Sequence, residues 1–141
     1  MKHQLMILGL ACVSLGLFAT EANAQQYRIV SKIPFDFTVR DQTCPAGVYD
    51  LEGRSFANFE QVHNNNGKCS LFVSSRRYLH DTVGHPRLVF RRYGSTYFLK
   101  TIWNGQGTGS AVPAGSREKR LQEATPAAEI ATTVIDGVVG Q

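Results

Sequence analysis

Past Ala19 the 141-residue chain has no uncharged apolar run approaching the ~20 residues that a membrane-crossing helix needs. The remainder is therefore expected to be soluble or peripherally attached. The chain is also short, one domain at most at ~150 residues per domain, which excludes a two-domain dinucleotide enzyme. Catalytic signatures are missing too. No Gly-x-Ser-x-Gly elbow is present, the Lys-Ser/Thr of a phosphate-binding loop is absent, and no cysteine pair stands at zinc-ligand spacing. Cysteines number three and charged residues make up 18%, with Lys+Arg 15 against Asp+Glu 11.

What is present starts with a leader. Met1-Lys2-His3-Gln4 is a short basic start, Leu5–Ala19 an uncharged run, and Ala22-Asn23-Ala24 an Ala-x-Ala site. Residues 1–24 thus read as a signal peptide cleaved between Ala24 and Gln25. A lipid-anchored form would need a cysteine at the end of the apolar run, and Cys12 lies too early. The expected location is the periplasm or the outside of a bacterium. ATP- and NAD-dependent chemistry is disfavoured there, nucleic acid is an implausible partner, and disulfides are permitted. Cys12 leaves with the leader, so Cys44 and Cys69 allow one bridge. Closing the roughly 24 residues between them is worth ~3 kcal/mol in the chain-entropy picture. The alternative is that both are small buried apolar side chains.

Short alternating segments separated by Gly, Pro and Asn indicate an all-β domain over 25–124. Strands are expected over Tyr27–Ile33, Phe35–Val39, Val48–Glu52, Ser55–His63 and Cys69–Ser75, the last two forming a hairpin around Asn64–Lys68. The sharpest expectation concerns Arg87–Trp103, where Gly94-Ser95 suits a two-residue hairpin loop. Its pairs would be Arg92–Tyr97, Phe90–Leu99 and Leu88–Thr101. Leu88, Phe90, Tyr97, Leu99 and Trp103 would then face the core. Arg87, Val89, Arg91, Phe98, Lys100 and Ile102 would form a mixed outer face. Gly105–Gly109 reads as a flexible loop, and Ser116 can cap a surface helix over 116–124. Residues 125–141 could add a strand near Thr132–Ile135, but a disordered tail is favoured.

Two candidate sites follow. Arg91, Phe98 and Lys100 could form a surface patch for an anionic glycan, a lipid headgroup or a partner carboxylate, by paired donors and stacking. Tyr97 and Trp103 could instead line a barrel interior that carries a small ligand. His80 and His85 are not at a ligand spacing, so no metal is expected, and no cofactor is implied. Ser74, Ser75, His80 and Asp81 could be assembled into a nucleophilic triad only in the absence of any elbow, which leaves a periplasmic hydrolase as the least favoured reading. A transmembrane barrel fails because the segments are short and the mixed face carries Arg and Lys.

The stretches Ile33–Val39 and Pro45–Tyr49, then Leu88-Val89-Phe90, Tyr93-Gly94, Tyr97-Phe98-Leu99, Ile102-Trp103 and Ser116-Arg117-Glu118, resemble a group of small exported β-rich proteins of Acidobacteria and related soil bacteria. That resemblance runs to Leu121 and implies an exported β-rich fold with no assigned activity or functional residue. In that group the position before Pro45 is usually a plain apolar residue, so the likeness favours packing over a bridge at Cys44. Together these features predict a compact antiparallel β-barrel or β-sandwich of about seven short strands with a short C-terminal helix. The function expected of it is non-enzymatic and surface-mediated, in the envelope or outside the cell.

Overall fold

The computed structural model describes residues 26–54, 59–74 and 78–141. The leader, the cleavage site, Ser75, Arg76 and Arg77 lie outside the described residues. In chain order the elements are β1 (Gln26–Ile33), β2 (Phe37–Val39), β3 (Gln42–Cys44), β4 (Gly47–Arg54), β5 (Phe59–Asn64) and β6 (Ser70–Ser74). They continue with β7 (Tyr78–His80), β8 (Arg87–Tyr93), β9 (Thr96–Trp103), β10 (Thr108–Ala111), α1 (Ser116–Ala124), a 3₁₀ turn at Ala127–Glu129, β11 (Ile130–Asp136) and β12 (Val138–Val139).

The strands form two open sheets, a sandwich-like arrangement without barrel closure. One sheet runs β12-β1-β4-β5-β6; the other runs β11-β8-β9-β10-β7, with β2 and β3 attached beside β9. All pairs are antiparallel except β2 with β9, where Phe37 lies beside Tyr97. Alternation along each strand sends one set of side chains inward. Ile29, Tyr49, Leu51, Val62 and Val73 from the first sheet meet Phe37, Val39, Leu88, Phe90 and Leu99 from the second. Phe37 packs edge-on against both Tyr49 and Phe90, at 5.0 and 5.4 Å between ring centroids.

Cys44 and Cys69 are bridged, with Cα atoms 5.4 Å apart. This corrects the packing-only role that the family likeness favoured. Cys44 ends β3 in one sheet and Cys69 precedes β6 in the other, so the bond staples the layers together. Both cysteines are also fully buried in the core, so bridge and packing coincide.

One expectation about local structure is overturned and another is sharpened. The segment favoured as a disordered tail is ordered strand: β11 pairs with β8 from Ile130↔Tyr93 to Asp136↔Arg87, and β12 pairs with β1. Glycine-rich 105–109 is a tight turn leading into β10, with Gly105 and Gly107 at positive φ. The turn is held by Asn104, whose Oδ1 accepts the Gln106 and Thr108 N–H groups.

Candidate functional site

The β8–β9 hairpin carries the residues expected to matter, and a register shift redistributes them. Arg92↔Tyr97 and Phe90↔Leu99 pair as expected, but a bulge between Val89 and Phe90 then sets Leu88 opposite Ile102 instead of Thr101. One extra residue reverses the facing of everything beyond it. Ile102 enters the core and Trp103 leaves it. Trp103 instead lies under the Arg87 guanidinium, 5.0 Å from the ring centroid. Its indole also covers Gly109, where an added Cβ would come within 2.5 Å of the ring. Tyr97 stacks on Phe35 at 3.8 Å on the other side of the sheet. Tyr97 and Trp103 therefore share no interior pocket.

Arg91, Phe98 and Lys100 form no surface patch either. Phe98 is 1% exposed and meets Tyr93 edge-on. Helix α1 covers this face, inserting Glu118, itself only 2% exposed. Glu118 accepts from Lys100 Nζ at 2.9 Å, and the same ammonium reaches the Val112 carbonyl at 3.2 Å. A buried carboxylate needs such a partner, since an isolated ion in low dielectric is strongly disfavoured. The helix start is not capped by Ser116. Asp41, from the turn between β2 and β3, accepts the Arg117 N–H at 3.1 Å. The backbone N–H groups of Arg117 and Ser116 hold its carboxyl below the usual range. Gly115 permits this docking: a Cβ there would lie 2.5 Å from the Arg40 backbone.

The second sheet's outer face is thus covered around Phe98 and Lys100, although Val134 of β11 stays half-exposed, whereas no described element covers the first sheet's. On that open face Asp50 of β4 is nearly buried between Arg28 of β1 and His63 of β5. Arg28 Nε donates to Asp50 Oδ1 at 2.7 Å, His63 Nε2 stands 3.8 Å from Oδ2, and Glu52 is 3.8 Å from Arg28. Val48 and Phe72 project beside this polar centre, Phe72 with 70% exposure. Arg28 and Glu52 also line a cleft of about 290 Å³ with Gln26, Asn104, Gln106 and Val139. Ser70 is paired with His63, completing a Ser-His-Asp row across β6, β5 and β4. The row lies on an open sheet face, and the His–Asp separation exceeds hydrogen-bond length. Sequence reading missed this cluster because its members are far apart in the chain; strict alternation in Val48–Glu52 was the only signal that Asp50 pointed outward.

The sequence-derived triad is not assembled. Ser74 belongs to one sheet and His80 to the other, and Asp81 is engaged by the Thr82 N–H and by Arg87, which pull its carboxyl down. Among the described residues no group of three or more His, Cys, Asp or Glu is placed to hold a metal. Between the sheets sits one further ionisable side chain, Glu60 of β5, at 2% exposure. It accepts from the Tyr27 hydroxyl, and its Oε2 has no hydrogen-bond partner among the described residues. Burial pushes this carboxyl up, opposed by the Ser110 and Tyr27 hydroxyls.

Comparison of the chain with protein-family models, curated proteins and solved structures finds no match. No helix among the described residues is long and apolar enough to cross a membrane.

Proposed function

We propose that this is an exported, non-enzymatic module of the bacterial envelope or exterior, akin to the small exported proteins its residues resemble, and that it binds a partner through the open face of its five-stranded sheet. One observation carries the reading. The two outer faces differ: on one, Phe98 and the Lys100–Glu118 pair are buried under α1, while the other presents the fixed Arg28–Asp50–His63 cluster with Phe72 and Val48 exposed around it. An aromatic side chain left 70% exposed beside ordered charge supports an interaction site on this face. The inter-sheet disulfide is compatible with an oxidising compartment.

Native mass spectrometry on the protein recovered from its own bacterium's envelope provides the test. A mature chain beginning at Gln25 without a small-molecule adduct is expected. Photo-crosslinking from Gln61 on the open face should capture a macromolecule that Arg28→Glu releases. A discrete small adduct lost on denaturation would instead mean a ligand carrier and overturn the proposal.

A further inference from the structure

The edge of the open-faced sheet shows how a partner could be held. Among the described residues five strands lie at sheet edges: β3, β7 and β12 are three residues or fewer, and the end of β11 is engaged by β1, where Ser31 Oγ donates to the Asp136 carbonyl at 2.9 Å. The fifth is β6, Ser70-Leu71-Phe72-Val73-Ser74, which among the described residues pairs with β5 alone. It carries none of the devices that usually blunt an edge: no charge, no proline and no register break.

The phase of its hydrogen bonds follows from the turn that leads into it. Asn64 N–H donates to the Cys69 carbonyl at 2.8 Å, making Asn64–Cys69 a hydrogen-bonded pair. Hydrogen-bonded and non-bonded pairs alternate in an antiparallel ladder. Val62–Leu71 and Glu60–Val73 are therefore bonded, and the N–H and C=O groups of Ser70, Phe72 and Ser74 point away from β5. Phe72, the most exposed aromatic on the open face, sits at the middle of that row.

Charge stands at one end. Ser74, Arg40, Pro113, Ala114 and Lys119 line a cleft of about 260 Å³. Among the described residues neither Arg40 nor Lys119 takes part in an ion pair. A second copy paired about Phe72 would bring the Lys68 end of one strand to this cationic end of the other, so like charges oppose self-association. An acidic segment is complementary.

We infer that β6 accepts an extended segment of a partner protein as an added strand, with Phe72 packing against its side chains and a carboxylate seated between Arg40 and Lys119. This rests on the interaction reading above and names the partner's chemistry: a β-forming peptide with an acidic residue at the end opposite Ser74. Strand addition draws affinity from backbone hydrogen bonds and specificity from side-chain pockets.

The test uses the mature protein and a labelled peptide, acetyl-Asp-Thr-Val-Thr-Val-Thr-amide, followed by fluorescence anisotropy. Binding is expected, with at least a tenfold loss when the peptide's Asp becomes Lys or when the protein carries Lys119→Glu, and a comparable loss with Phe72→Ser. N-methylation of one alternate set of peptide residues should abolish binding and of the other set leave it unchanged. Absence of binding, indifference to N-methylation, or indifference to both charge changes would each overturn strand addition. So would a wild-type dimer, measured by sedimentation, that Phe72→Ser dissociates, because the edge would then serve a second copy. If the Gln61 crosslink is lost with Arg28→Glu but not with Lys119→Glu, the edge assignment fails while the open-face reading stands.

Discussion

Reducing the Cys44–Cys69 bond in an otherwise unchanged protein separates the cross-link from the packing of its sulfurs. The bond spans 25 positions of sequence, and the loop-closure entropy it removes from the unfolded chain corresponds to about 3.5 kcal/mol at 25 °C. For a domain of this size, 1 kcal/mol moves the melting midpoint by roughly 4 °C, so the reduced protein should melt about 10–15 °C lower. Thermal unfolding followed by circular dichroism, with and without a phosphine reductant and with thiol content quantified, measures the difference. Cys44→Ala/Cys69→Ala should melt lower still, because two fully buried sulfurs are also deleted from the core. Reduced and oxidised proteins melting within about 3 °C of each other, less than 1 kcal/mol at ~4 °C per kcal/mol, would refute the argument that the bond holds the two layers together.

Glu60→Gln should leave stability unchanged at low pH and raise it at neutral pH. The folded carboxyl titrates above its unfolded counterpart, so the wild type has its full stability below the ordinary carboxyl range and loses it as pH rises through the folded value; urea titrations at pH 3.5 and 7.5, either side of ~4.3, giving the opposite trend would contradict this. Lys100→Met should cost about 3 kcal/mol by stranding the Glu118 carboxylate, and Lys100→Met/Glu118→Leu should recover most of it. A double mutant no better than the single would show that the pair is not coupled. Gly115→Ala should destabilise by about 1–3 kcal/mol through collision with the Arg40 backbone, whereas Ser116→Ala should be nearly silent; equal effects in chemical denaturation would count against capping by Asp41.

The elements legible in the sequence were those determined locally. Gly94-Ser95 fixed the hairpin and its upper register, and helix 116–124 matches α1 at both ends. The bulge at Val89/Phe90 has no local sequence mark, and that single insertion moved Ile102 and Trp103 to the opposite faces. Asp41–Thr43 reads as a turn and Gly105–Gly109 as a loop, yet Gln42–Cys44 and Thr108–Ala111 are strands because a neighbouring strand supplies their hydrogen bonds. Lys100 and Phe98 seemed surface residues because only the third dimension reveals that Glu118 and α1 lie over them. The candidate site was less legible than the fold, for Arg28, Asp50 and His63 meet only when β1, β4 and β5 are side by side.

The crossing at Gly137 ties the two layers to one short segment, residues 130–139. Immediately before it β11 seals the edge of β8, and immediately after it β12 seals the edge of β1, so one short segment finishes both layers. Until residues 130–141 have arrived, a growing chain carries two unfinished edges, one of them on its first strand. Long-range closure of this kind is slow compared with local pairing. A chain built in this way completes its two layers together, so a lesion at Gly137 would open one edge of each sheet at once.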